Sequence, residues 1–191
     1  MTTIMNRAVY LGGVKGVGKT ALLKSLKNRI AYTIVDPPSE MLEYVTSDAR
    51  DQLDELSATD RISARSRAFE RILSAQYFQE IIIDGHFSLS TDYGHEWAIP
   101  KNSISRLGPF ILITADPARI LERRIKDDDR QRDVSNLAEI RLDMEIERLY
   151  AIFVSEVTGR PLYIVENNDF ATARGLLLRV LSNLIKQGNH E

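Results

Sequence analysis

Five short runs of apolar and β-branched residues punctuate the chain: Ala8 to Leu11, Tyr32 to Val35, Glu80 to Ile83, Phe110 to Thr114 and Leu162 to Val165. Runs of this length, bounded by charged or turn-forming residues, predict strands buried on both faces. Between them the apolar period changes. Leu22, Leu23, Leu26 and Ile30 recur at helical spacing, Leu142, Ile146, Leu149, Tyr150 and Phe153 mark a long helix, and Leu176, Leu177, Val180, Leu181, Leu184 and Ile185 mark a last one. Strands alternating with helices predict an α/β fold with a parallel sheet covered on both sides.

Two intervals exceed a minimal strand–helix unit. Pro37 to Gln79 is too long for one crossover. Glu40 to Val45, Ala49 to Leu56 and Asp60 to Phe78 each have helical character, and Pro37-Pro38 opens the insert, so a helical subdomain is expected. His86 to Pro109 contains Gly94, Pro100 and Gly108 without sustained periodicity, which predicts a long surface loop with room for a short helix. Loops of that length in a compact domain are often functional.

Composition narrows the classes. A chain of 191 residues without repeats suits one domain, 1–191, with a sizeable core. Lys plus Arg number 25 against 27 Asp plus Glu, a formal charge of −2, so the total gives nucleic acid no support as a partner. Cysteine is absent, which removes disulfides, zinc–thiolate sites and thiol nucleophiles and fits a reducing compartment. The opening MTTIMNRAVY has no leader pattern, and no apolar run approaches membrane-spanning length, so a cytoplasmic protein without a membrane partner is expected.

The chemistry concentrates where the first strand breaks into glycines. Gly13-Val14-Lys15-Gly16-Val17-Gly18-Lys19-Thr20 satisfies G-x-x-x-x-G-K-[ST] between a strand and a helix, the context that motif requires. Glycines let backbone N–H groups turn inward around an anion, and the helix N-terminus adds its positive end. Gly13, Lys15, Gly16, Val17, Gly18, Lys19, Thr20 and Ala21 are therefore the candidate ATP-binding segment. Lys19 is expected to bridge the β- and γ-phosphates, and the Thr20 hydroxyl to ligate Mg²⁺. Asp84 ends the third strand, where a second acidic group near Mg²⁺ belongs; beside Gly85, such an Asp is also ordinary turn chemistry.

A third cluster follows the fourth strand. Arg119 and Arg123 share a helical face, while Arg130 and Arg132 fall in the loop beyond it. They can neutralise charge on a migrating phosphoryl group, or form a solvated face paired with Glu122 and Asp127 to Asp129. His86 has no partner at metal-ligand spacing, so a hydrogen-bonding role is expected rather than zinc. Tyr93, His95 and Trp97 offer ring surface for a base, or simply pack.

Taken in this order, the phosphate loop, helical insert, Asp84-Gly85-His86 and the arginine-rich segment resemble the nucleoside monophosphate kinases, specifically archaeal-type adenylate kinases. The more specific parts are Asp84 to Thr91, Arg123-Arg124 through Arg130-Gln131-Arg132-Asp133, Val157-Thr158-Gly159 and Ile164-Val165-Glu166-Asn167. The resemblance implies a P-loop NTPase three-layer fold with a five-stranded sheet in the order 2-3-1-4-5. It further implies an acceptor-binding insert at 37–79 and a short lid at 126–136. By position, Arg119 would lie near the ATP base and phosphates, Arg123 on the phosphates, Arg130 and Arg132 on the transferring group, and Asn167 and Asn168 near the adenine. The family's usual acceptor-phosphate arginine is replaced by Asp54, leaving Arg50, Arg61 and Arg65, with His86, as acceptor-binding candidates.

The activity expected is transfer of the γ-phosphoryl group from ATP, with Mg²⁺, to a small phosphate acceptor, AMP above others. Lys19, Arg123, Arg130, Arg132 and Asp84 are the catalytic candidates, and Thr20 and Asp84 the metal-binding ones. Two alternatives stand beside it. One is a kinase of a hydroxyl-bearing small molecule with Asp84 or Asp54 taking the proton; the other is an adenylate-kinase-like ATPase acting as an assembly or switch factor through the His86 to Pro109 loop.

Overall fold

The computed structural model describes residues 8–42, 56–75, 80–91, 93–126 and 136–188. Five strands form one parallel sheet: β1 (Ala8–Gly12), β2 (Tyr32–Val35), β3 (Glu80–Asp84), β6 (Leu107–Thr114) and β7 (Leu162–Glu166). Their order is β2-β3-β1-β6-β7. Because β4 (Ser88–Thr91) and β5 (Gly94–Trp97) pair separately as an antiparallel hairpin, the order counted within the sheet is 2-3-1-4-5. The helices are α1 (Lys19–Leu26), α2 (Pro37–Leu42), α3 (Ala58–Ser74), α4 (Pro117–Lys126), α5 (Leu137–Thr158) and α6 (Phe170–Gly188).

The strand period of two explains the layers. On one face Val9, Leu11, Ile82, Ile111, Ile113 and Val165 pack with Leu22, Leu23 and Leu26 of α1, Ile120 of α4 and Ala173, Leu177 and Leu181 of α6. On the other, Ala8, Tyr10, Ile81, Ile83, Phe110 and Leu112 meet Phe69 and Ile72 of α3 and Ala151 and Val154 of α5. Every one of these side chains is buried, each contributing about 1.5–3 kcal/mol when large. Tyr10 sits at the centre of the second layer, with ring centroids of Phe87, Phe69 and Phe110 at 5.2, 6.2 and 6.5 Å.

Local signals set the helix ends. Pro37 begins α2, where a missing N–H costs nothing. The Ser57 hydroxyl caps α3 by accepting from Asp60 N at 3.2 Å. Asn136 and Glu139 cap the start of α5 reciprocally, and Gly159, at φ 63°, ends it.

Three expectations change. The expected surface loop from His86 to Pro109 contains the β4–β5 hairpin and a 3-10 turn at Ile104–Arg106, because Trp97 and Ile99 find apolar neighbours that no periodicity announces. The insert's first helix starts at Pro37 rather than Glu40 and its last runs Ala58–Ser74 rather than 60–78; the expected helix at 49–56 lies almost wholly outside the described residues. Finally, α5 turns Ile140, Glu147, Ala151 and Val154 inward, while Leu142, Leu149 and Phe153, which mark its pattern, are 55%, 59% and 46% exposed.

Candidate active site

The loop between β1 and α1 has backbone geometry that glycine alone tolerates at its two ends. Gly18 caps α1 at φ 97°, and a Cβ there would lie 2.5 Å from Asn167 Nδ2. Gly13 has φ 149°, and a Cβ would lie 2.4 Å from the Ile113 carbonyl oxygen. Side chains fix the outward carbonyls of the loop. Arg124 Nε donates to Lys15 O at 3.0 Å, while Arg123 Nη1 and Asn167 Nδ2 donate to Val17 O at 2.9 and 2.8 Å. Arg123 Nη2 also donates to Asn167 O at 2.7 Å. Since C=O and N–H point opposite ways across a planar trans peptide, these bonds turn the Gly16 and Gly18 amides away from α4, as an anion nest requires.

Lys19 is buried and donates through Nζ to Gly13 O. Burial lowers its proton affinity, and the charges of Asp84 and Glu147 oppose that shift. Asp84 stands at the end of β3, in register with Leu11 of β1. The turn that follows is pinned on all sides. Gly85 N donates to Leu11 O at 2.9 Å, the Tyr10 hydroxyl donates to His86 O, and a Cβ on Gly12 would meet the Phe87 ring at 2.5 Å. Phe87 N donates to Glu147 Oε1 at 2.9 Å; Ser88 N and Oγ donate to Oε2 at 2.6 and 2.7 Å. The His86 ring lies against Gly13, with Nδ1 3.9 Å from Glu147 Oε1. Burial first, then Lys19, holds the imidazole well below its usual pKa, so it is neutral at pH 7.

The structure thus brings Gly13, Lys15, Gly16, Val17, Gly18, Lys19, Asp84, His86, Arg123 and Asn167 together. Thr20 and Ala21 are exposed in the first turn of α1. Arg119 is exposed on α4, near enough to Arg123 to disfavour its charge. Arg123 spends both terminal nitrogens on carbonyls, acting as a clamp on the loop, and Asn168 Oδ1 accepts from Asp116 N at 2.6 Å. His86 sits by the phosphate loop. Arg61 and Arg65 converge instead on Glu96 of β5: Arg61 Nη2 lies 3.1 Å from Oε1, Arg65 Nη2 3.6 Å from Oε2, and Arg65 Nη1 donates to Trp97 O at 2.8 Å. Trp97 stacks on Tyr150 at 4.4 Å and meets Phe153 edge-on at 4.7 Å, so it packs rather than offering a face to a base. Arg50, Asp54, Asp127 to Asp129, Arg130, Arg132 and the lid beyond Lys126 lie outside the described residues.

Glu147 and Glu96 escaped sequence reasoning. Glu147 had a signal, an acid within the inward stripe Ile140, Glu147, Ala151 and Val154; Glu96 had none. Thr20 and Asp84 offer hard oxygen donors suited to Mg²⁺. Among the described residues no group of three or more His, Asp or Glu could hold a metal. Magnesium, which keeps waters and takes nucleotide phosphate oxygens, fits such a sparse protein donor set.

A family model described as an AAA domain matches residues 12–141. The chain is 31% identical over 166 residues to adenylate kinase of Thermoplasma acidophilum, covering 82% of this chain and 87% of that protein. It is 30% identical over 169 residues to adenylate kinase of Methanothermobacter thermautotrophicus, covering 85% and 91%. The chain belongs to the adenylate kinase family. It is a nucleotide-binding phosphotransferase of the nucleoside monophosphate kinase type. Shikimate kinase from Acinetobacter baumannii superposes with a TM-score of 0.66 at 15% identity over 95% of this chain and 94% of that one, a likeness of fold. No described helix of this family member is long and apolar enough to cross a membrane.

Proposed function

We propose that the chain transfers the γ-phosphoryl group of ATP to AMP. The observation that carries this reading is the convergence of Lys19, Asp84 and His86 on a loop whose glycine amides are turned into one nest. The loop amides and Lys19 would hold the triphosphate, while Arg123, Arg124 and Asn167 keep those amides aimed. Thr20 and Asp84 would hold Mg²⁺, which supplies charge neutralisation at the phosphates when bound. A phosphate acceptor arrives ionised, so no strong general base is needed, and catalysis rests on positioning and charge. Arg130 and Arg132 would add positive charge to the transferring group, and Asn167 Oδ1, buried with no hydrogen-bond partner among the described residues, would accept from an adenine amine.

A hydroxyl-bearing acceptor is the second reading. It is favoured by Glu96, which occupies both Arg61 and Arg65 and leaves less positive charge for an acceptor phosphate. A coupled assay with AMP, CMP, UMP, dTMP or no acceptor separates the readings. AMP-dependent ADP formation well above the acceptor-free rate is the expected result. Equal rates with and without every monophosphate would overturn it, and rapid ADP formation without acceptor would favour a switch ATPase.

A further inference from the structure

We infer that Glu147 is a positioning residue for phosphoryl transfer, holding the Asp84-to-Ser88 turn in register with the phosphate loop. The inference rests on the proposed activity but names a residue from a distant helix.

The turn leaves the sheet at Asp84 and enters the hairpin at Ser88, so the Phe87 and Ser88 amides face no strand on the side where α5 passes. Glu147 meets both, one on each carboxylate oxygen, and takes the Ser88 hydroxyl as well. A carboxylate only 1% exposed is costly to keep charged, and burial pushes its proton affinity up. The three donors and the charge of Lys19 offset that cost. An apolar residue here would fit the stripe of α5 but would orphan two buried amides.

The same turn carries two of the candidate site residues. Asp84 and His86 alternate with the anchored residues, His86 lies against Gly13, and Lys19 senses the charges of both Asp84 and Glu147. Releasing Glu147's hold therefore moves Asp84 and His86 relative to Lys19 while leaving the nest's own clamps, Arg123, Arg124 and Asn167, untouched. Misplacement of about 1 Å can cost on the order of 100-fold in rate.

The test is Glu147→Gln in the full chain, with Ser88→Ala, which removes one bond of the three, as the milder variant. Readouts are kcat, KM for ATP, and amide hydrogen exchange at Phe87 and Ser88. For Glu147→Gln, which keeps one acceptor oxygen and turns an NH2 donor on the other amide, the expected result is kcat lowered about 10- to 100-fold, KM for ATP within about threefold, and exchange protection lost at one of those two amides or both while the sheet stays protected. Ser88→Ala should lose less than about fivefold in kcat. Unchanged kcat despite lost protection would overturn the inference while leaving the proposed activity standing. Loss of ATP binding and sheet protection together with kcat would mark Glu147 as merely structural, and a wild-type chain without phosphoryl transfer would end both readings.

Discussion

Gly85→Ala is the smallest change that should disturb both stability and chemistry. A Cβ at Gly85 would lie 2.4 Å from the Tyr10 hydroxyl oxygen and 2.9 Å from Cζ of the same ring. Tyr10 has nowhere to retreat, because it is 1% exposed and boxed by Phe69, Phe87 and Phe110. Overpacking of this kind costs about 1–3 kcal/mol. Pushing the hydroxyl off the His86 carbonyl leaves buried polar atoms unpaired, adding about 1–3 kcal/mol. The sum, about 2–6 kcal/mol, corresponds to a fall in Tm of about 4–24 °C for a domain of this size. Thermal and urea unfolding of four proteins, the wild type, Tyr10→Phe, Gly85→Ala and the double variant, measure it. Removing the hydroxyl also removes the nearest clash, so the double variant should be more stable than additivity predicts by about 1 kcal/mol or more. A Gly85→Ala protein within about 1 kcal/mol of wild type, or strict additivity in the cycle, would refute the packing argument.

Other outcomes follow from the same geometry. Trp97→Ala should lose about 2–3 kcal/mol of stability in urea unfolding with KM for ATP unchanged within twofold, since its ring is committed to Tyr150 and Phe153; the reverse pattern would make it a base platform. Arg123→Ala should weaken ATP binding about tenfold by calorimetry, and Arg123→Lys should not restore it, because a point charge cannot span Val17 O and Asn167 O together. His86 is held well below the usual histidine pKa by burial and Lys19, so below about pH 6.5 the unfolded chain takes up a proton that the folded chain refuses. Stability is then full above that pH and falls on acidification, by up to about 1.4 kcal/mol per pH unit. Glu147, raised by burial, contributes the opposite slope, so urea unfolding of wild type and His86→Asn between pH 7.5 and 5 is compared by difference.

The sheet and the phosphate loop were legible because each rests on a local rule. Strands buried on both faces need unbroken apolar runs, and Tyr32–Val35 begins and ends where its run does. The nest needs glycine at positive φ, and Gly13, Gly16 and Gly18 all have it. What stayed hidden depends on which surface a residue meets. Helical spacing groups Leu142, Leu149 and Phe153 on one face of α5 but does not say that the sheet takes the opposite face, through Ala151 and Val154. The spacing of Arg119 and Arg123 likewise puts two guanidinium groups on one side of α4 without revealing that Arg123 grips carbonyls of the phosphate loop. Strands as short and polar as Ser88–Thr91 and Gly94–Trp97 carry no period longer than a turn. Their pairing comes from α3 and α5 on either side, through Arg65, Glu96, Trp97 and Glu147.

The most direct measurement is titration calorimetry of the full chain with ATP and Mg²⁺, alongside Lys19→Ala. The account predicts one triphosphate bound per wild-type chain, and binding weakened at least about tenfold in the variant, which lacks the ammonium proposed to contact the phosphates. Absence of binding to wild type, or equal affinity in the two proteins, would contradict it.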